Sequence, residues 1–185
     1  MSPEEIEIYK KIIPNCNVIF DVGCREDNIF YEINPKAKVH LFDPELCEAL
    51  SSDPNIKYNN FALGDYKGVT DFHPSYGSIL ERTDEKRFDG QHYSVQVPID
   101  TIENYCKKNK IKSIDYLKID TEGYDYNVLK GCGKMLSKIK YIQFEDWDIK
   151  TNSQIFELLL GYNLYTINSS PKNFILYKKK LSWTL

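Results

Sequence analysis

At 185 residues, 42% of them apolar and 14% aromatic, the chain can bury one substantial core and is too short for two ordinary domains, so a single domain is expected. A formal charge of -3 and a pI near 5.7 supply no basic footprint for nucleic acid or an anionic membrane, and leave a small molecule or a glycan as the expected partner. Five cysteines without a C-x-x-C pair, acids where a signal peptide carries bases, and no stretch near the ~20 apolar residues of a membrane span predict a reducing, cytoplasmic setting without a disulfide framework or zinc site.

Taken in chain order, Pro3 to Ile13 is helix-like, and "NVIF" from residue 17 is the first of seven short apolar runs rich in β-branched or aromatic residues. Such runs are too short for buried helices and predict strands. Helix-like Asn28 to Asn34 leads to the strand "KVHLF", helix-like Pro44 to Ser51 to the strand "IKYNNFAL", and Thr101 to Asn109 to the strand "IDYLKI". Tyr124 to Ser137 then places Tyr124, Val128, Leu129, Cys132 and Leu136 on one face, as a helix resting on a sheet requires. "KYIQF", helix-like Ser153 to Leu160, "NLYTI" and "NFILY" complete the order, the last two separated only by "NSSPK". Strand and helix alternate, which predicts an α/β fold with a doubly wound, mostly parallel seven-stranded sheet and an antiparallel hairpin at one edge. Residues 66 to 98 break the alternation with aromatics, turn residues and two histidines, and are expected to form an irregular excursion that covers a site.

Ligands of doubly wound sheets sit beyond the carboxyl ends of the strands. Asp21, Gly23, Asp43, Asp65 and Asp120 all fall there. A dinucleotide fingerprint needs three glycines in G-x-G-x-x-G so that backbone amides can approach a pyrophosphate. This chain has only Gly23, with Glu26 and Asp27 where the pyrophosphate would lie, which argues against NAD or FAD. S-adenosylmethionine carries a sulfonium and an ammonium and no phosphate, so Asp21 beside it is electrostatically favourable. Asp43, twenty positions after Gly23, is placed to accept from ribose hydroxyls. Each acid also has a structural alternative as a helix cap, since "DPE" is a good helix start.

The motifs "FDVG" (20 to 23), "FDP" (42 to 44), "NFALGD" (60 to 65), "PIDTI" (98 to 102), "KIDTEG" (118 to 123), "VLKG" (128 to 131) and "YIQFE" (141 to 145) stand in one order along the chain. Together they resemble the FkbM-type methyltransferases over roughly residues 17 to 177. The resemblance implies a Rossmann-like class I fold, S-adenosylmethionine as cofactor, and O-methylation of a saccharide or other small hydroxyl compound. It also implies a cofactor site at Asp21, Gly23, Cys24, Asp43, Ala62, Leu63, Asp65 and Asp120. The family usually continues its first turn as Gly-Ala-Asn-x-Gly, whereas this chain has Gly23, Cys24, Arg25, Glu26 and Asp27. A methyltransferase-like module that no longer turns over and binds a glycan or protein partner is therefore the alternative reading.

Methyl transfer mainly requires alignment of acceptor oxygen, methyl carbon and sulfur, and a positioned carboxylate or histidine strengthens a hydroxyl nucleophile by taking its proton. Asp120, Glu122 and Glu145, with His73 and His92 from the irregular segment, are the candidates. Three carboxylates could instead hold a divalent cation that orients a diol, although no spacing demands a metal. Lys118, two positions before Asp120, is expected to be a structural ion-pair partner.

Overall fold

The computed structural model describes residues 2–25, 29–45, 53–75, 77–80, 93–145, 149–167 and 173–178. Helix α1 (Pro3–Ile12) starts where Pro3 presets the first turn and Ser2 accepts from the Glu5 amide at 3.2 Å. The Glu5 carboxylate returns the bond to the Ser2 amide at 2.6 Å, so both ends of a capping box are made. Strand β1 (Val18–Val22), helix α2 (Ile29–Ile33), β2 (Lys38–Phe42) and β3 (Ile56–Asn59) follow. After Asn59 the chain leaves the sheet: the Phe61 amide donates back to Asn59 at 2.9 Å, and β4 (Ala62–Leu63) joins a second sheet. The run "IKYNNFAL" is thus two strands, because the turn at Asn60 redirects its second half.

Strands β5 (Gly68–Phe72) and β6 (Val95–Asp100) pair antiparallel and complete this three-stranded sheet in the order β4-β6-β5. The expectation of an irregular excursion over 66 to 98 is corrected for these parts of it. Strand β5 is mostly solvated, with only Phe72 buried, so it lacks the apolar alternation that betrays a strand. Helix α3 (Ile102–Lys108) is capped by Thr101, whose hydroxyl accepts from the Asn104 amide at 3.1 Å. Then come β7 (Ile114–Ile119), α4 (Asp125–Lys130), β8 (Ile139–Glu145), α5 (Ile149–Leu158), β9 (Tyr162–Ile167) and β10 (Asn173–Lys178). The helix expected over Tyr124 to Ser137 stops at Lys130. Gly133 takes φ +48 and the chain continues as a 3-10 turn over Gly133–Lys138, a break that glycine permits. The helix expected from Pro44 to Ser51 lies mostly outside the described residues.

The main sheet has the order β3-β2-β1-β7-β8-β10-β9. Strands β3, β2, β1, β7 and β8 run parallel, and β10 is antiparallel to both β8 and β9. Alternate residues of the central strands feed two cores. Phe20, Val22, Leu117, Ile119 and Ile142 pack with α3, α4 and the small sheet, while Ile19, Val39 and Tyr116 pack with α1 and α2.

One row of the second face is polar. Asp21 of β1, Lys118 of β7 and Gln143 of β8 are register partners across three adjacent strands. The Gln143 side-chain oxygen accepts from Tyr9 at 2.9 Å and Tyr116 at 2.6 Å, and its amide donates to Glu5 at 3.2 Å. Gln143 is fully buried, so these bonds satisfy groups whose desolvation would otherwise be unfavourable. The row ends beneath the carboxyl ends of β1 and β7.

Candidate functional site

The first turn is held by backbone contacts. Gly23 adopts φ +78, its amide donates to the Phe42 carbonyl at 2.8 Å, and a Cβ built on it would lie 1.9 Å from the Asp120 carbonyl oxygen. The glycine is thus required by the approach of two strand ends, quite apart from any ligand. Arg25 follows at φ +51, and its amide donates to Asp43 at 2.9 Å. The other oxygen of Asp43 accepts from the Glu45 amide, also at 2.9 Å. Asp43 is therefore a staple between the turn and the end of β2, with lone pairs still able to accept from hydroxyls.

Two adjoining recesses open above these ends. The first, of about 370 Å³, is walled by Val22, Phe42, Ala62, Leu63, Phe72 and Tyr124, with Gly23 and Asp43 at its edge. The second, of about 730 Å³, is lined by Cys24, Arg25, Asp43, Glu45, Asp120 and Glu122, with Lys118 below. Lys118 sits 3.6 Å from Asp21 and 3.1 Å from Asp120. Burial disfavours its ammonium, but Asp21 and Asp120 outweigh that and hold its pKa well above the ordinary lysine range. Burial, reinforced by Asp21 and Asp43, pushes the Cys24 thiol up, so Cys24 packs as a small neutral side chain. Arg25 reaches from the rim to within 3.8 Å of Glu122.

Glu122 itself has φ +53 and Gly123 φ +98, two successive left-handed residues that turn the chain from β7 into α4. For a glutamate this conformation persists only where neighbours impose it. Asp125 does so from inside: fully buried, it accepts from the Thr121 amide at 3.0 Å, from the Thr121 hydroxyl, and from the Glu145 amide at 3.2 Å. Burial raises its pKa to about 6 against the opposing effect of these bonds. Ser78 does so from outside, donating to the Thr121 and Glu122 carbonyls at 3.2 and 3.1 Å.

Glu145, half-buried at the end of β8, has its pKa raised to about 8. Burial is the main cause, and the charges of Asp120, Asp125 and Glu122 add to it. Asp120 and Glu122 thus stand close enough to Glu145 to raise its pKa. Asp120 and Glu122 line the second recess, while Glu145 and the ion-paired Asp21 are not among the residues lining either one. Ala62 and Leu63 line the apolar recess, whereas Asp65 turns away to pair with Lys130 at 2.7 Å and is not among the residues lining either recess. His73 is likewise absent from both linings; its backbone closes a tight loop, donating to and accepting from Ser78 and Gly77, while its neighbour Phe72 faces both recesses. His92 lies outside the described residues.

The sequence reading missed Asp125, Thr121, Ser78 and Tyr124 as site residues. For Asp125 the signal was an acid in the first turn of the helix after "KIDTEG"; the others offered none. Among the described residues no group of three or more His, Cys, Asp or Glu is arranged to hold a metal ion, and no helix is long and apolar enough to cross a membrane.

Comparison with known proteins bears on the same elements. The chain is 26% identical over 154 residues to the 2-O-methyltransferase NoeI of Sinorhizobium fredii, a match covering 69% of this chain and 62% of that one. The chain therefore spans less than two thirds of that relative's length. Among solved structures, the methyltransferase FkbM of Methylobacillus flagellatus superposes with a TM-score of 0.59 at 12% identity, over 87% of this chain and 43% of that one. An uncharacterized protein from Listeria monocytogenes serotype 4b gives 0.50 at 12% identity, over all of this chain and 71% of that one. At such identities both show the fold alone. The model of the methyltransferase FkbM domain matches residues 16–164, from two residues before β1 into β9, and the chain belongs to that family.

Proposed function

We propose that the paired recesses bind S-adenosylmethionine and a small hydroxyl acceptor of the saccharide class, and that the protein is an O-methyltransferase acting as one domain. The observation that carries this reading is the junction of an apolar slot with a basin of carboxylates at the carboxyl ends of β1, β2 and β7. Phe42, Ala62 and Leu63 would wall a planar base, and Asp43 would accept from ribose hydroxyls with the lone pairs its two amide bonds leave free. The acidic basin favours a cationic ligand over a dinucleotide. When bound, the cofactor supplies an electrophilic methyl group on a sulfonium that is already a good leaving group.

The chain's own residues then have to hold the acceptor and manage one proton. Asp120 and Glu122 line the basin and would accept from acceptor hydroxyls, with Asp120 fixed by Lys118. Glu145 is the group assigned to take the hydroxyl proton, because a carboxyl with a pKa of about 8 is a stronger base than an ordinary one once ionised. Phe72 at the end of β5 and Ile79 beyond it wall the slot on the side facing the small sheet's turn.

Calorimetric titration tests the reading, with S-adenosylmethionine, S-adenosylhomocysteine and NAD as ligands. Binding of the two adenosyl sulfur compounds without NAD is expected. Asp43→Ala should weaken it about tenfold or more, since a hydrogen bond to a charged group contributes roughly 1.5–3 kcal/mol. Turnover on saccharide acceptors is then screened. The altered first turn, with Arg25 in place of the family's asparagine, favours one second reading, a module that binds a glycan or protein without turnover. No binding of either sulfur compound at millimolar concentration would select it.

A further inference from the structure

A third concavity, of about 850 Å³ including its open mouth, lies beside the edge strand β3, where α3 and the small sheet meet it. Its wall is aromatic: Phe61 is part-exposed, and the buried Tyr105 backs it at 6.0 Å between ring centres. Its rim carries Lys57, Lys67 and Lys108, against a single carboxylate, Asp100. Asp100 is already engaged, accepting from the Thr101 amide at 2.8 Å and the Asn104 side chain at 3.1 Å. Among the described residues none of the three lysines forms an ion pair. Lys57 is oriented, donating to Asn109 at 2.6 Å with its ammonium 5.3 Å from the centre of the Tyr105 ring. In a chain of net charge -3, three cations against one carboxylate around one concave surface form a local field of the opposite sign.

We propose that this groove binds an organic phosphate carrying a planar ring, the ring against Phe61 and the phosphates among Lys57, Lys67 and Lys108. Lysine ammonium groups are point donors that suit phosphate oxygens, and a ring face suits an aromatic wall in offset or edge contact. The groove is distinct from the proposed cofactor slot: Phe42 faces that slot, and Phe61, 5.7 Å from it, faces the groove. The two sites therefore stand on opposite sides of one aromatic wall.

Uridine diphosphate, uridine and pyrophosphate, titrated by calorimetry at low salt, test this. Uridine diphosphate should bind more tightly than either fragment, weaken as salt is raised, and bind equally well with S-adenosylhomocysteine present. The double variant Lys67→Gln/Lys108→Gln removes two exposed charges that contact no described partner, and should weaken uridine diphosphate about tenfold without changing the urea midpoint. No binding at millimolar ligand, displacement by S-adenosylhomocysteine, pyrophosphate binding as tightly as the nucleotide, or an unchanged affinity in the double variant would each overturn the proposal. The lysine comparison stands whether or not the adenosyl compound binds, so its failure is separable from failure of the methyltransferase reading.

Discussion

Replacing Gly23 by alanine tests whether this residue serves the fold before it serves any ligand. The added Cβ would stand 1.9 Å from the Asp120 carbonyl oxygen and 2.8 Å from its carbon. Those are backbone atoms of β7's end, so no side chain can swing aside. At φ +78 an alanine also carries left-handed strain of about 1–2 kcal/mol. Displacing packed backbone adds about 1–3 kcal/mol, giving a loss of about 2–5 kcal/mol from a total stability of roughly 5–15. For a chain of this size that lowers Tm by about 4–20 °C. Gly161 is the internal control: it has φ +98 but nothing within 4 Å of a built Cβ, so Gly161→Ala should incur the strain alone. Urea unfolding of both variants without ligand gives the comparison, read as a shift in midpoint at constant slope. If the two lose the same stability, the close approach of β1 and β7 contributes nothing and the argument for Gly23 fails.

Glu145 predicts a pH dependence. Its pKa is about 8 folded against 4.5 in the unfolded chain, so the folded state holds the proton more tightly and stability falls as pH rises from about 4.5 to 8. Glu145→Gln should flatten that part of the stability curve, and an unchanged slope would remove the group as its source. If Glu145 takes the acceptor's proton, turnover rises through the same upper value and the variant loses that limb of the rate profile. Asp125→Asn turns one acceptor oxygen into a donor that faces amide and hydroxyl donors, and should lower stability by about 1–3 kcal/mol; a wild-type urea midpoint would show that the turn does not depend on it. Asp65→Asn, which breaks only the exposed pair with Lys130, should shift stability by no more than about 1 kcal/mol and leave S-adenosylhomocysteine affinity unchanged. A loss of affinity there would return Asp65 to the site.

Much of the architecture was legible locally. All seven strands of the main sheet coincide with short runs bounded by turn residues, and the hairpin at its edge follows from "NSSPK" being too short for a crossover. The strand ends carrying Asp21, Asp43 and Asp120 were legible for the same reason, since a parallel sheet sends its carboxyl ends to one side. The second sheet was not, because β5 buries only its last residue, Phe72, and β4 is two residues long, leaving no periodicity to read.

Whatever depends on which distant residue a side chain meets was decided only by the tertiary structure. Asp21, Lys118 and Gln143 form a row because β1, β7 and β8 are neighbours in a register set by the packing of both sheet faces. Gly23 is constrained by a carbonyl 97 positions away, Asp65 is taken by a lysine 65 positions on, and Asp125 holds a turn and a strand end at once. The raised pKa of Glu145 exists only where Asp120, Asp125 and Glu122 converge with it out of water. The sequence by itself determined the order and kind of the elements, since those follow from local periodicity and turn chemistry. Pairing, charge and burial at the site belong to the folded chain, because each is an interaction between residues that only the complete sheet brings together.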